Sequence, residues 1–231
     1  MSQSLTVVFA LFPGVTQLDF TGPHQVLGAL PGARLVLASR DGRALTTDAG
    51  MTFAGLDRLS DIPSCDVLCA PGGLGTSAAM EDEAFLRELR RLAEGARYVT
   101  SVCTGSLLLG AAGLLAGRRA ACHWAWRELL AEFGATPDPA RVCRDGNVIT
   151  GGGVTAGIDF ALTLAAEIAG EETARRIQLM IEYAPDPPFD SGRPETAAPE
   201  LVAQIRAFGE QAGVARRDAV ARAAERLKAM A

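Results

Sequence analysis

Histidine is scarce in this chain. His24 and His123 are the only two in 231 residues, and no two of the five cysteines stand in a Cys-x-x-Cys spacing. A structural zinc site would have to gather its ligands without any of the usual local spacings, so no metal is expected. Long apolar runs are missing as well. The longest, such as Leu107 to Ala116, contain glycines and fall short of the ~20 residues of a spanning helix, so no membrane is expected among the partners. The opening stretch MSQSLTVVFALFPG lacks the basic n-region of a signal peptide and reads as a first buried strand, which makes the cytoplasm the expected compartment. There the cysteines are expected as reduced thiols rather than a disulfide framework. Basic residues are outnumbered, 22 against 27 acidic, for a net charge of −5. That balance argues against a general nucleic-acid footprint.

What is present is the composition of a small-residue-rich α/β protein: 48% hydrophobic, 21% charged and 6% aromatic residues. Leu5–Phe12, Arg34–Ala38, Asp66–Ala70 and Tyr98–Val102 are short apolar runs that read as buried parallel strands. Helical spacing fills the intervals at Asp19–Leu30, Asp82–Gly95 and Thr104–Gly113, with Phe85, Leu89 and Leu92 forming one stripe. The alternation predicts an α/β fold with a mostly parallel sheet and helices on both faces. Further on, Trp124–Phe133 reads as an amphipathic helix, Asp145-Gly146 as a hairpin turn, and Thr155–Ile168 and Glu171–Tyr183 as two helices parted at Gly170. The compact domain is expected to span 1–183. Pro185, Pro187, Pro188 and Pro194 make 184–198 an extended arm. Residues 199–231 resume helical composition. One amphipathic helix on such an arm cannot bury its own apolar face, so it must pack on the body or on a second subunit.

Three places could carry chemistry. Ser101-Val102-Cys103-Thr104-Gly105 sets a cysteine between a strand and a helix with small residues two positions either side, the steric pattern of a nucleophile elbow. At a helix N-terminus its sulfur is expected to favour thiolate, with a pKa lowered toward ~6; the competing reading is a buried, inert cysteine. Ala70-Pro71-Gly72-Gly73 follows a strand, and the amides of Gly72 and Gly73 could stabilise an anion. The adjoining Gly73-Leu74-Gly75-Thr76-Ser77-Ala78 fits a dinucleotide fingerprint, but the acidic residue expected ~20 positions on is missing, Tyr98-Val99-Thr100 standing there instead. Asp19, just after the first strand, is either a helix N-cap or a proton partner for Cys103. His123 reads as a packed or surface residue more readily than as a base, and Cys65 and Cys69 as core.

Leu18-Asp19-Phe20-Thr21-Gly22-Pro23, Ala70-Pro71-Gly72-Gly73, Thr100 to Ser106, Ala121-Cys122-His123-Trp124 and Gly151-Gly152-Gly153 together resemble the ThiJ/PfpI superfamily, the glutamine-amidotransferase-like group. The resemblance covers about residues 5–183 and, within the superfamily, is similar to the isocyanide hydratases, where the arm and final helix extend it almost to the C-terminus. It implies a flavodoxin-like sandwich and a cofactor-free hydration of an isocyanide to an N-formamide. Cys103 would be the nucleophile, Asp19 the proton shuttle, Thr104 a donor through hydroxyl or N–H, and Gly72 and Gly73 electrostatic support. It also implies a homodimer in which the C-terminal helix packs across the partner. Superfamily peptidases carry histidine after the cysteine, where this chain has Thr104, which argues against peptidase activity. The alternatives are a non-enzymatic redox or metabolite sensor related to the sensor domains of AraC-type regulators, and a glyoxalase- or deglycase-like activity. The ~30 residues after the arm allow one helix, so a full regulator with two helix-turn-helix units is not expected.

Overall fold

The computed structural model describes residues 5–230, with side chains outside 208–212. The elements follow in chain order. β1 (Leu5–Leu11), α1 (Gln17–Leu27) and β2 (Ala33–Ser39) are followed by the short strands β3 (Leu45–Thr46), β4 (Thr52–Phe53) and β5 (Asp57–Arg58). Then come β6 (Val67–Ala70), α2 (Thr76–Glu81), α3 (Glu83–Gly95), β7 (Tyr98–Val102) and α4 (Gly105–Ala111). β8 (Arg119–Ala120), β9 (Thr136–Pro137), β10 (Val142–Asp145) and β11 (Val148–Gly151) precede the helices α5 (Ala156–Ala169), α6 (Glu171–Met180) and α7 (Pro199–Met230).

Seven strands form the central sheet in the order β10-β11-β7-β6-β1-β2-β5, parallel throughout except for β10 at one edge. β6, β7 and β11 are buried along their whole length, as strands covered on both faces must be. Side chains alternate along β7. Ser101 Oγ meets Ser106 Oγ of α4 at 2.8 Å, while Val102 lies against Gly157 of α5. Successive strand residues point to opposite faces, so α4 and α5 cover opposite faces of the sheet. α1 and α6 pack with α5, and α2, α3 and α7 with α4. This is the sandwich expected from the βαβ alternation. The connections reverse direction at β1, which has β2 on one side and β6 on the other. Beyond the carboxyl ends of β1, β6 and β7, at this switch point, an open α/β sheet forms its crevice.

Local chemistry explains the departures from expectation. The segment before Gly134 is a 3-10 helix, Arg127–Phe133, rather than an α-helix from Trp124. Three residues per turn put Leu130 and Phe133 on one face, and both are buried. The hairpin loop is Gly146-Asn147, one position beyond the expected pair, because Asp145 still pairs with Val148. Gly146 takes φ +61, as the first central residue of a tight hairpin turn requires. α1 starts at Gln17 and contains Pro23, so Asp19 lies within its first turn rather than at its cap.

Residues 181–198 form neither helix nor strand, consistent with their prolines. The arm is anchored at its start, where Tyr183 Oη donates to Asp159 Oδ2 at 2.9 Å. α7 then divides. Its second half buries Ala219, Val220, Ala223 and Ala224 against its own body, and Arg222 and Arg226 pair with Glu81 of α2. In its first half Leu201 and Ile205 remain exposed. Among the described residues no helix is long and apolar enough to cross a membrane.

The packing of α4 gives a stability prediction. A Cβ on Gly110 would stand 2.3 Å from Cδ2 of Phe133. Gly110→Ala is expected to cost about 1–3 kcal/mol through overpacking, read as a lowered midpoint in chemical denaturation; an unchanged midpoint would contradict the close α4 contact.

Candidate active site

Cys103 sits where β7 turns into α4, and its φ of +57 marks a left-handed backbone that only one other non-glycine, Glu182, shares among the described residues. Holding an L-residue there costs roughly 1–2 kcal/mol. The strain is imposed from both sides. The N–H of Cys103 continues the sheet ladder by donating to Gly151 O at 3.1 Å, and Gly105 begins α4 so close to β6 that a Cβ would lie 1.9 Å from Ala70 O. Ser106 Oγ donates to Ala121 O, tying α4 to the segment that follows β8. The small flanks read from sequence are therefore steric necessities of the elbow.

Asp19 is fully buried. Its Oδ2 accepts the Gly72 N–H at 2.9 Å, whereas Oδ1 has no partner of good geometry; the carboxyl also interacts with the Cys103 side chain. A Cβ on Gly72 would lie 2.9 Å from Asp19 Oδ2 and 2.5 Å from both the nitrogen and Oγ1 of Thr104. Glycine at 72 is what lets the three residues converge. Gly73 N–H donates to Thr104 Oγ1 at 3.0 Å, and that hydroxyl also meets Thr76 Oγ1 at 2.9 Å. Both glycine amides expected to face a substrate are thus already engaged, one by Asp19 and one by Thr104. The hydroxyl of Thr104 is engaged too; its backbone N–H is the group turned toward the Cys103 sulfur.

Burial pushes the Asp19 carboxyl up to about 7, the Gly72 and Cys103 hydrogen bonds only partly opposing it and Asp48 adding to the rise. The Cys103 thiol also moves upward, chiefly through burial, then through Asp19 and Cys122, against the pull of the Thr104 N–H and Arg216. This corrects the expected lowering. α4 has only seven residues, and its terminus is outweighed by desolvation of the sulfur. An acid that titrates near neutrality beside a thiol held neutral by burial forms a coupled pair. The pair can exchange one proton without exporting charge to solvent.

Cys65, Cys69 and His24 have structural surroundings, whereas His123 and Cys122 line a cavity. Cys65 and Cys69 are core, both pushed to about 12 by burial. His24 packs against Phe9. His123 accepts the Ala125 N–H on Nδ1 at 3.3 Å, stacks on Trp124, and is held below its usual range by burial. It stays neutral and packed, as its sequence context suggested. It lines a cavity of about 620 Å³ together with Cys122, Trp124, Gly152, Gly153 and arm residue Arg193. Gly152 directly follows the residue whose carbonyl holds Cys103 N–H, so this cavity lies alongside the elbow.

Arg216 was not legible as a site residue. It comes from α7, over a hundred positions from the elbow, yet is only 6% exposed. Its Nη2 donates to Gly73 O at 3.0 Å and its guanidinium lies over the Trp126 ring at 4.7 Å. In sequence it is one arginine among several on an Ala-rich helix, with no signal apart from its neighbours. Among the described residues no group of His, Cys, Asp and Glu gathers as a metal site.

Comparison with known proteins gives this geometry a setting. An isonitrile hydratase from Pseudomonas putida is 53% identical over 203 residues, which cover 88% of this chain and 89% of that protein. The crystal structure of a ThiJ/PfpI family protein from Pseudomonas syringae superposes with a TM-score of 0.90 at 39% identity, covering 96% of this chain and 90% of the other. The HTH-type transcriptional regulator CdhR from Pseudomonas aeruginosa is 30% identical over 73% of this chain, which spans 52% of that regulator. The sequence profile of the DJ-1/PfpI family matches residues 5–167. With the elbow, the flavodoxin-like sheet and this match in place, the chain belongs to the DJ-1/PfpI family.

Proposed function

We propose that this protein is an isocyanide hydratase, converting R–N≡C and water to R–NH–CHO. The observation that carries the reading is the likeness to the P. putida isonitrile hydratase over nearly the whole length of both chains, isonitrile and isocyanide being one functional group. The buried Asp19–Cys103 pair supports it with chemistry suited to that reaction. An isocyanide is neutral and accepts a nucleophile and a proton at its terminal carbon. A pair that shares one mobile proton, and so carries one negative charge, offers both.

In the proposed course Cys103 sulfur, having passed its proton to Asp19, forms the S–C bond to the isocyanide carbon. Asp19 returns the proton to that carbon, giving the thioimidate Cys103–S–CH=N–R. Water then adds to this carbon with Asp19 carboxylate taking its proton, and the S–C bond breaks as the nitrogen and sulfur are reprotonated. The products are R–NH–CHO and the free thiol, so atoms and protons balance without any redox partner or cofactor. Thr104 N–H steadies the charge on sulfur. Gly72 and Gly73 act through Asp19 and Thr104, which they hold in place. The cavity beside Cys122, Trp124 and Gly153 is where the R group would lie. The exposed Leu201 and Ile205 of α7 support a homodimer, the partner covering the helix face that this chain leaves open. A cytoplasmic setting agrees with reduced thiols at all five cysteines.

The regulator relative favours one rival, a metabolite or redox sensor that binds without turnover. Product formation separates them. Formamide production from a simple aryl isocyanide is expected for the wild type and lost in Cys103→Ala, with the fold retained by circular dichroism; turnover in that variant would refute the nucleophile.

The pH dependence follows from Asp19. With both groups protonated the sulfur is not nucleophilic, and loss of one proton creates the active pair, so kcat/KM is expected to rise with pH through a midpoint near 7. Asp19→Asn is expected to lose about 10²–10⁴-fold in kcat together with that limb. A variant with the wild-type rate and pH profile would remove Asp19 from the chemistry.

A further inference from the structure

Among the described residues Arg216 is a buried cation without a carboxylate partner. None of the ion pairs among the described residues includes it, its Nε is buried with no hydrogen-bond partner, and its contacts are the Gly73 carbonyl and the face of Trp126. The arginine charge cannot be shed by deprotonation, so an unpaired guanidinium in a low-dielectric setting is costly unless something nearby uses its field. The helix that brings it is shaped for the task. Gly213 stands one turn before Arg216, and a Cβ there would fall 2.8 Å from Cη2 of Trp126. Both residues bear on the same indole, so α7 approaches closely enough for the guanidinium to pass over the ring and reach the Gly73 loop.

The field of Arg216 falls on sulfur. Its Nη2 holds the carbonyl of Gly73, whose N–H holds Thr104, the residue next to Cys103; from there it draws the Cys122 thiol and, after burial, Asp19, Cys122 and the Thr104 N–H, the Cys103 thiol downward, whereas Asp19 is governed by burial, Gly72, Cys103 and Asp48. A proton shared by Asp19 and Cys103 has two positions: a carboxylate beside a thiol, or a carboxylic acid beside a thiolate. A cation closer in effect to sulfur lowers the energy of the second. Of the other charged or titratable groups facing the pair, Asp48 adds to this bias from the carboxyl side by disfavouring the Asp19 carboxylate, and none but Arg216 draws charge onto the Cys103 sulfur from a cation. Asp48 and Cys69 face Asp19, Cys122 faces Cys103 with Arg127 behind it, and His123 is kept neutral by burial and by Arg216 itself.

We propose that Arg216, delivered by α7, is a positioning residue that biases the shared proton toward Asp19 and so eases the passage of Cys103 from thiol to thiolate. The inference deepens the hydratase reading, because it makes the reactive form of the same nucleophile easier to reach. It also makes the docking of α7 a condition of reactivity, joining the C-terminal helix to a reacting pair, Asp19 and Cys103, that lies within residues 5–167.

The test reads Cys103 directly. Alkylation by iodoacetamide, followed on the Cys103 peptide by mass spectrometry across pH, measures the thiolate without any isocyanide. Arg216→Gln is expected to raise the midpoint of the alkylation profile by about one unit and to slow alkylation near neutrality roughly tenfold. Arg216→Lys, which keeps the charge and loses the planar fork, is expected to hold close to the wild-type profile. Arg222→Gln weakens α7 docking through Glu81 without touching the site, and is expected to leave the profile unchanged. A wild-type profile in Arg216→Gln would overturn the proposal, as would an equal shift in Arg222→Gln, which would assign the effect to docking alone. Should Arg216→Gln fail to fold, Arg216→Lys decides: a retained profile supports the bias by charge, and an upward shift overturns it. A protein that failed to hydrate isocyanides would still give the predicted profiles, so the two readings fail separately.

Discussion

The hydrogen bond from Gly72 N–H to Asp19 Oδ2, 2.9 Å long, joins the loop after β6 to the first turn of α1 and fixes a carboxyl group that is fully buried. Everything at the site depends on that placement. Asp19 cannot be solvated, so its proton is held near neutrality, and its carboxyl interacts with the side chain of Cys103. The bond is possible only because residue 72 has no side chain, since a Cβ would collide with Thr104 and Asp19 together. A backbone requirement in the loop after β6 therefore sets the protonation chemistry of a carboxyl on α1.

The elbow is the second half of the same constraint. Cys103 keeps its left-handed backbone because β11 holds its N–H and β6 presses on Gly105. The strain is distributed over three strands of the sheet, which explains why the nucleophile lies at the centre of the fold rather than on a loop. It also separates this cysteine from the other four. Cys65, Cys69, Cys122 and Cys143 are buried without a strained backbone, and for Cys65, Cys69 and Cys122 burial leaves the thiol at about 12.

Much of this was legible in the sequence, for identifiable reasons. Continuous apolar runs specify strands covered on both faces, and β1, β2, β6 and β7 lie where the runs predict. The flanks Ser101 and Gly105 announce the elbow because small residues there are a steric demand. The Asp145-Gly146 pair located the hairpin but missed its register, which depends on which residue pairs with Val148 rather than on local turn preference. The 3-10 segment before Gly134 was hidden because the tertiary demand to bury Leu130 and Phe133 together overrides helical periodicity. Electrostatics were least legible. The short α4 promised a lowered thiol, and only three-dimensional burial shows the opposite. Arg216 belongs to the same class: its meaning comes from where α7 docks, and nothing local to residue 216 reveals it.

The account stands or falls on a covalent bond at Cys103. Mixing the protein with an isocyanide, quenching in acid during turnover and weighing the cysteine-containing peptides tests it most directly. The predicted result is a transient gain on the Cys103 peptide equal to the whole mass of the isocyanide, since addition expels no leaving group, rising and then decaying as formamide appears. Formamide accumulating with the Cys103 peptide unmodified throughout, or with the added mass on Cys122, would contradict it.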